Sequence, residues 1–314
     1  MSAQTSTTTG YDHSNLHHVV ITATCFAFLL STVSVVLRIV SRKINGTGLF
    51  IDDYFIIGAL FFLYGITIAG IVLMYNGLGT HLVYVSSEHL VVYMKTLFTG
   101  SILYTCCIAC IKLSILTLYR RLFPTKSMLV AVNIVGAIVV LWCFGACLIS
   151  TVTCIPLHKL WEPTVPGGCI DLPKFYYGLQ GPNIITDAVI LIMPMKIVWD
   201  LPISRVQKSL LSGIFVVGFL TLIFDIIRLI ALIQLANSGD DATYNEVPSS
   251  VWTCIEPAVG ITAACLSNMR PLFTIVYRRL GGDRTAGPSE EKMKRRQSGS
   301  PTANSEAASD ETQV

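Results

Sequence analysis

Charged side chains are scarce in this chain. Only 13% of its 314 residues are Asp, Glu, Lys or Arg, while 53% are hydrophobic, against about 25% charged in a typical water-soluble protein. A soluble core of this size would need far more polar surface to cover it, and the mean hydropathy of +0.64 agrees. The shortage of charge argues against a soluble globular enzyme and for an integral membrane protein. Other features are also missing. The first eighteen residues, "MSAQTSTTTGYDHSNLHH", lack the basic start and small-residue cleavage site of a secretory signal, so the first hydrophobic run is expected to serve as the insertion signal. Neither repeated halves nor interrupted helix pairs are evident, which argues against a transporter. No HExxH, G-x-S-x-G, P-loop or Cys/His metal spacing appears, so an enzyme would have to work with lone carboxylates. The net charge of +3 gives no reason to expect a nucleic-acid partner, and the lipid bilayer is the expected environment.

What the chain does have is long runs of hydrocarbon. A helix rises about 1.5 Å per residue, so crossing roughly 30 Å of bilayer core takes about 20 apolar residues. Seven stretches reach that length: Val19–Val40, Tyr54–Tyr75, Leu90–Leu118, Met128–Val152, Phe175–Val198, Leu210–Ala236 and Val251–Tyr277. The expected fold is all-α, a polytopic bundle of seven transmembrane helices. Lys and Arg set its direction. Arg42 and Lys43 lie in loop 1, Arg120, Arg121 and Lys126 in loop 3, and Arg205 and Lys208 in loop 5. The N-terminus, loop 2 and loop 6 have none, and loop 4 has only Lys159 and Lys174. The N-terminus should therefore lie outside and the C-terminus in the cytosol, in a multi-pass protein expected at the plasma membrane. Residues 1–18 form an exterior segment, 19–280 the helical domain, and 281–314 a polar, disordered cytosolic tail. In that tail the basic run of "KMKRRQSGS" just before Ser298 could hold the chain on anionic lipid until phosphorylation, or could simply be solvated.

This topology bears on two smaller features. The Asn45-Gly46-Thr47 sequon falls in a cytosolic loop and should escape glycosylation. Of ten cysteines, only Cys154 and Cys169 lie in an exterior loop, where oxidation is permitted. A bridge there would contribute about 3 kcal/mol in the chain-entropy model; the alternative is two free thiols. The other cysteines read as small apolar packing residues.

The segment "TLIFDIIRLIALIQL" at 221–235 places Asp225 and Arg228 in hydrocarbon, where each costs about 2.5–3.5 kcal/mol on insertion scales. Residues three apart share a helix face, so the pair can partly neutralise itself while facing the bundle interior. Asn183 and Asp187 share a face of helix 5, Glu256 lies about 9 Å below the outer end of helix 7, and Lys95 sits near the outer end of helix 3. Lys95, Asn183, Asp187, Asp225, Arg228 and Glu256 are thus the candidate ligand pocket, or else a buried network that holds the bundle together. Arg120, Arg121, Arg205 and Lys208 are the candidate cytosolic readout. Pro194 and Pro257 should bend helices 5 and 7. Lys112 is expected to snorkel to the cytosolic interface. Asp52 and Asp53 are expected to pair with Arg42 or Lys43 as exposed ions worth about 0–1 kcal/mol, and His81 to be a solvated loop residue after the turn at Gly77 and Gly79, the alternative being a ligand contact.

Seven motifs occur in order: "RIVSRKINGTGLFIDDY", "NGLGTH", "IKLSILTLYRRLF", "CIPLHKLWEPTVPGGC", "NIITDAVILIMPMKIVWDLPIS", "GFLTLIFDIIRL" and "WTCIEPAVGITAACLSNMRPLF". Through them, over about residues 20–280, the chain resembles the fungal rhodopsin-like-domain family. Those seven-helix membrane proteins include candidate G-protein-coupled receptors of the Pth type. The resemblance implies a receptor-like protein that senses a small-molecule or surface ligand, with a heterotrimeric G protein as the partner such receptors use. Some members are encoded near secondary-metabolite genes, so an enzyme or accessory protein of such a pathway is the alternative, with Asp225 or Glu256 as an intramembrane acid. No cofactor is expected. Retinal needs a helix-7 Lys for its Schiff base, and Val251–Tyr277 contains none. "LYRRLF" is not a DRY motif and "SNMRPLFTIVY" is not NPxxY, so G-protein coupling is implied by analogy alone.

Overall fold

The computed structural model describes residues 16–268, apart from Asn45, Thr47, Pro163, Asp171 and the stretches 196–204 and 238–241. The N-terminal segment through Asn15, the end of the predicted seventh span and the tail at 281–314 lie outside the described residues. Seven long helices are found among those described: α1 (His17–Ile44), α2 (Ile51–Tyr75), α3 (Ser87–Leu122), α4 (Lys126–Thr151), α5 (Leu172–Ile192), α6 (Arg205–Asn237) and α7 (Val247–Asn268). Six of the seven contain a segment long and apolar enough to cross a membrane. The exception is α5, whose described part is diluted by Lys174, Gln180, Asn183 and Asp187. Most helices outrun their apolar stretches by a few polar residues, because a helix continues into the headgroup region where side chains can be solvated.

The helices close a ring. α1 packs on α2 and α7, α2 on α3, α3 on α4, α4 on α5, α5 on α6 and α6 on α7; α3 and α7 also touch each other and so run through the middle. Where they meet, Ile111, Ala258, Ile261 and Ala264 form a dry core with Leu63 of α2 and Ala27 of α1. Small residues in that core let the backbones approach closely. The outer surface is hydrocarbon. On α4, Ile134, Ile138, Leu141, Phe144 and Leu148 form one exposed stripe at helical spacing, with Leu141 69% and Phe144 64% exposed. Polar groups inside and bare aliphatic groups outside are the arrangement that lipid favours.

One end of the bundle carries a hairpin, β1 (Cys154–Ile155) paired antiparallel with β2 (Gly168–Cys169). Cys154 lies opposite Cys169 and the two are joined in a disulfide. A Cβ on Gly167 would lie 2.2 Å from the Ile155 carbonyl oxygen, so only glycine fits there. At the same end Gly77 turns the chain with φ +114°. Leu78 then packs on Val20, Leu73, Tyr93 and Val247. His81 is not a free loop residue: it stacks on Tyr244 at 4.6 Å, beside a hydrogen bond from Thr243 to the Thr80 carbonyl at 2.8 Å. Pro257 lies inside α7 as expected; α5 stops at Ile192, and Pro194 sits in the turn that interrupts the helical backbone before Met195. The interior proline of α5 is Pro182.

Candidate functional site

Two buried polar layers cross the bundle. The first lies at the end opposite the hairpin. Arg38 of α1, 1% exposed, donates from Nη2 to Asp52 at 2.7 Å and from Nε to Asp53 at 2.7 Å. Its Nη1 donates to the Ala264 carbonyl of α7 at 3.0 Å. Arg42 adds a second cation, 3.0 Å from Asp52 and 3.2 Å from Asp53. Asn268 of α7 donates to Asp52 at 2.9 Å and accepts from Arg42 at 3.0 Å. From α3, Ser114 donates to the Asp52 backbone carbonyl at 2.8 Å, and Arg121 reaches Asp52 at 3.5 Å. Asp53 also accepts the Phe50 N–H at 3.0 Å, capping α2. The guanidinium groups of Arg42 and Arg121 lie over the Phe50 ring, at 4.9 Å and 4.1 Å from its centroid. The expectation of exposed ions at loop 1 is therefore corrected. Both aspartates are buried and tie α1, α2, α3 and α7 together. The sequence reading passed over Arg38, although one Arg in the apolar run "SVVLRIV" was a signal that a buried partner was needed.

The second layer lies deeper, and its centre is Lys112. The Lys112 ammonium donates to the Asn183 side chain at 2.7 Å, the Asn183 carbonyl at 2.8 Å and Thr186 at 2.7 Å, and pairs with Asp187 at 2.8 Å. It also lies 5.6 Å from the Trp142 ring centroid, while the Trp142 indole donates to the Leu179 carbonyl at 3.0 Å. The expected snorkelling is overturned, and helix length explains why. α3 runs to Leu122, so Lys112 sits about 15 Å from its end, beyond the reach of a lysine side chain. Asn183 then donates to Asp225 at 3.1 Å, and the Asp225 carboxyl lies near those of Glu256 and Asp187. Tyr104 donates to Glu256. Arg228 pairs with Glu256 at 3.8 Å, donates to Thr253 at 3.1 Å and covers the Tyr104 ring at 3.6 Å. Asp225 and Arg228 interact through their charges, as their spacing allows, while hydrogen bonds and an ion pair tie them to other helices.

The structure thus brings Asn183, Asp187, Asp225, Arg228 and Glu256 into one chain with Lys112, Tyr104, Thr186 and Thr253. Lys95 is not part of it; it is exposed and stacks on Trp161 of the hairpin loop at 5.2 Å. Arg120 is exposed and Arg121 joins the first layer. Arg205 and Lys208 fall where only the backbone of α6 is described. Elsewhere, the sulfurs of Cys106, Cys143 and Cys147 lie within 4.8 Å of one another between α3 and α4. All three side chains are partly buried. Chemically, the deep layer can hold charges out of lipid, move a proton between carboxyls, or offer polar anchors to a ligand.

Comparison with known proteins places this geometry in context. A family model described as the fungal rhodopsin domain matches residues 37–275. A polyenoic acids biosynthesis gene cluster protein, Ba17b, of Metarhizium anisopliae is 31% identical over 262 residues, covering 78% of this chain and 70% of that protein. A satratoxin biosynthesis SC1 cluster protein 4 of Stachybotrys chartarum is 26% identical, covering 54% of this chain and 60% of that protein. A SAT4 family membrane protein of Emericella nidulans is 27% identical, covering 70% of this chain and 57% of that protein. No solved structure matches the chain.

Proposed function

This chain belongs to the fungal rhodopsin domain family, and from that premise we propose that it is a receptor-like protein of the plasma membrane. In this reading it spans the bilayer seven times, with the N-terminus outside and the basic loops in the cytosol. A lipophilic ligand enters from the hairpin side and acts on the deep layer, and the response emerges at loops 3 and 5, where a heterotrimeric G protein is the partner to test. The observation that carries the reading is that α3 and α7 each serve both polar layers. On α3, Tyr104 and Lys112 belong to the deep layer, and Ser114 and Arg121 to the other. On α7, Thr253 and Glu256 belong to the deep layer, and Ala264 and Asn268 to the other. A rigid helix that is pulled at one layer must disturb the other, and a two-state receptor needs that kind of coupling.

The experiment is fluorescence transfer between labels at loops 3 and 5 in purified protein. A ligand-dependent change that is lost in Arg228→Ala supports the receptor; a response unchanged in that variant removes the proposed route. A second reading draws on the relatives named for biosynthesis clusters: a membrane enzyme or accessory protein of secondary metabolism, using Asp225 or Glu256 as a buried acid. It predicts turnover of a hydrophobic metabolite that vanishes in Glu256→Gln and Asp225→Asn while both variants still reach the membrane. Co-purification from native membranes separates the two, since a G-protein α subunit favours the first reading and biosynthetic enzymes the second.

A further inference from the structure

Three thiols meet at one place in the helical domain, outside both polar layers. Cys143 and Cys147 are one turn apart on the same face of α4, and that helix packs on α3. Cys106 of α3 completes the group, and all three sulfurs lie within 4.8 Å of one another. The other cysteines of α3 have different neighbours. Cys107 donates to the Ala59 carbonyl of α2 at 3.2 Å. Cys110 lies beside Gly58 of α2, where an added Cβ would be 3.8 Å from its sulfur. Cys254 and Cys265 lie in the dry core with Cys107. Packing explains a thiol at any one of these positions. It gives no reason for three sulfurs from two helices to converge while each side chain keeps some exposure.

Converging thiols are a soft donor set, of the kind that selects Cu(I), zinc or iron–sulfur clusters. Geometry separates these. A metal at the centre of the triangle, about 2.3 Å from each sulfur as in zinc–thiolate bonds, sets the sulfurs about 4 Å apart. The present spacing reaches that with small side-chain adjustments. Among the described residues no fourth His, Cys, Asp or Glu lies within the same distance of all three. A structural zinc takes four ligands, and iron–sulfur clusters also draw on four cysteines, whereas Cu(I) is complete with three thiolates in a plane. We propose that Cys106, Cys143 and Cys147 form a binding site for a single Cu(I) ion that clamps α3 to α4. Coordination displaces thiol protons and transfers no electron. Cys147 lies four residues from the end of α4, about 6 Å, which puts the entry on the hairpin side. The site shares no residue with the polar layers, so it stands apart from the receptor reading.

The test uses the full chain in lipid nanodiscs under argon, with copper held as Cu(I) by ascorbate and supplied from a chromogenic Cu(I) chelator. One ion per chain should transfer, and X-ray absorption at the copper edge should show three sulfur neighbours. Cys106→Ala, Cys143→Ala and Cys147→Ala should each weaken retention by at least about tenfold, since losing a residue that merely orients a metal ligand already costs that much. Cys25→Ala and Cys110→Ala should leave it unchanged. Copper should also shield the three thiols, and not Cys25, from a membrane-permeant maleimide read by mass spectrometry, an arm that needs no variant to fold. Copper with nitrogen or oxygen neighbours, thiols left unshielded, or retention untouched by all three substitutions overturns the proposal. So does one equivalent of zinc that blocks copper uptake, which would make the site a zinc site.

Discussion

The two polar layers solve the same problem in opposite ways. In the layer around Arg38 the cations match or exceed the carboxylates, and Asp52 and Asp53 are held by Arg38, Arg42, Asn268 and Arg121. In the layer around Lys112 carboxyls outnumber cations, with Asp187, Asp225 and Glu256 set against Lys112 and Arg228. A knot whose cations cover its carboxylates fixes helices; one with an excess of carboxyls leaves a balance that something else can tip. Burial of charge therefore does not reveal purpose by itself, and the balance of opposite charges says more.

The contrast can be broken most sharply at Arg38. Arg38→Met removes the most deeply buried cation, the one that holds both Asp52 and Asp53 at 2.7 Å, and should cost about 3–5 kcal/mol, seen as loss of folded protein in detergent thermal unfolding. A variant with near wild-type stability would mean the knot is not structural. Lys112→Met is expected to cost less, about 2–3 kcal/mol, because Asp187 is 22% exposed and keeps some hydration. Adding Asp187→Leu should recover most of that loss, and an additive double variant would deny the pairing. Tyr104→Phe removes a single donor from Glu256 and should cost about 1–2 kcal/mol, while changing the loop 3 to loop 5 distance more than an equally destabilising core change such as Ile261→Val. Lys95→Ala is the floor of the series. It loses one exposed cation–π contact, about 0.5 kcal/mol, and a much larger shift in unfolding temperature would draw the hairpin loop into the site.

Run length made the helices legible in the sequence, and loop charge identified Cys154 and Cys169 as the pair to join. The pairings inside the bundle were not legible, for two physical reasons. Helix ends lie beyond the apolar run, so Lys112 was placed too near an interface and Asp52 and Asp53 too far from cover. Partners also come from distant parts of the chain. Asp225 finds Asn183, Arg228 finds Glu256, and Arg38 finds the Ala264 carbonyl, none of which helical periodicity can foresee. Spacing correctly gave Asn183 and Asp187 a common face, because that relation is local.

The Phe50 ring is an uncharged side chain that the guanidinium groups of Arg42 and Arg121 both cover. Its electron-rich face lets Arg42 and Arg121 sit near each other despite their like charge. A leucine would keep much of the bulk but not the quadrupole, so the third helix would be pushed outward from the first. In this molecule a benzene ring acts as the electrostatic washer in a joint, and its loss should loosen movement at that joint without removing a single hydrogen bond.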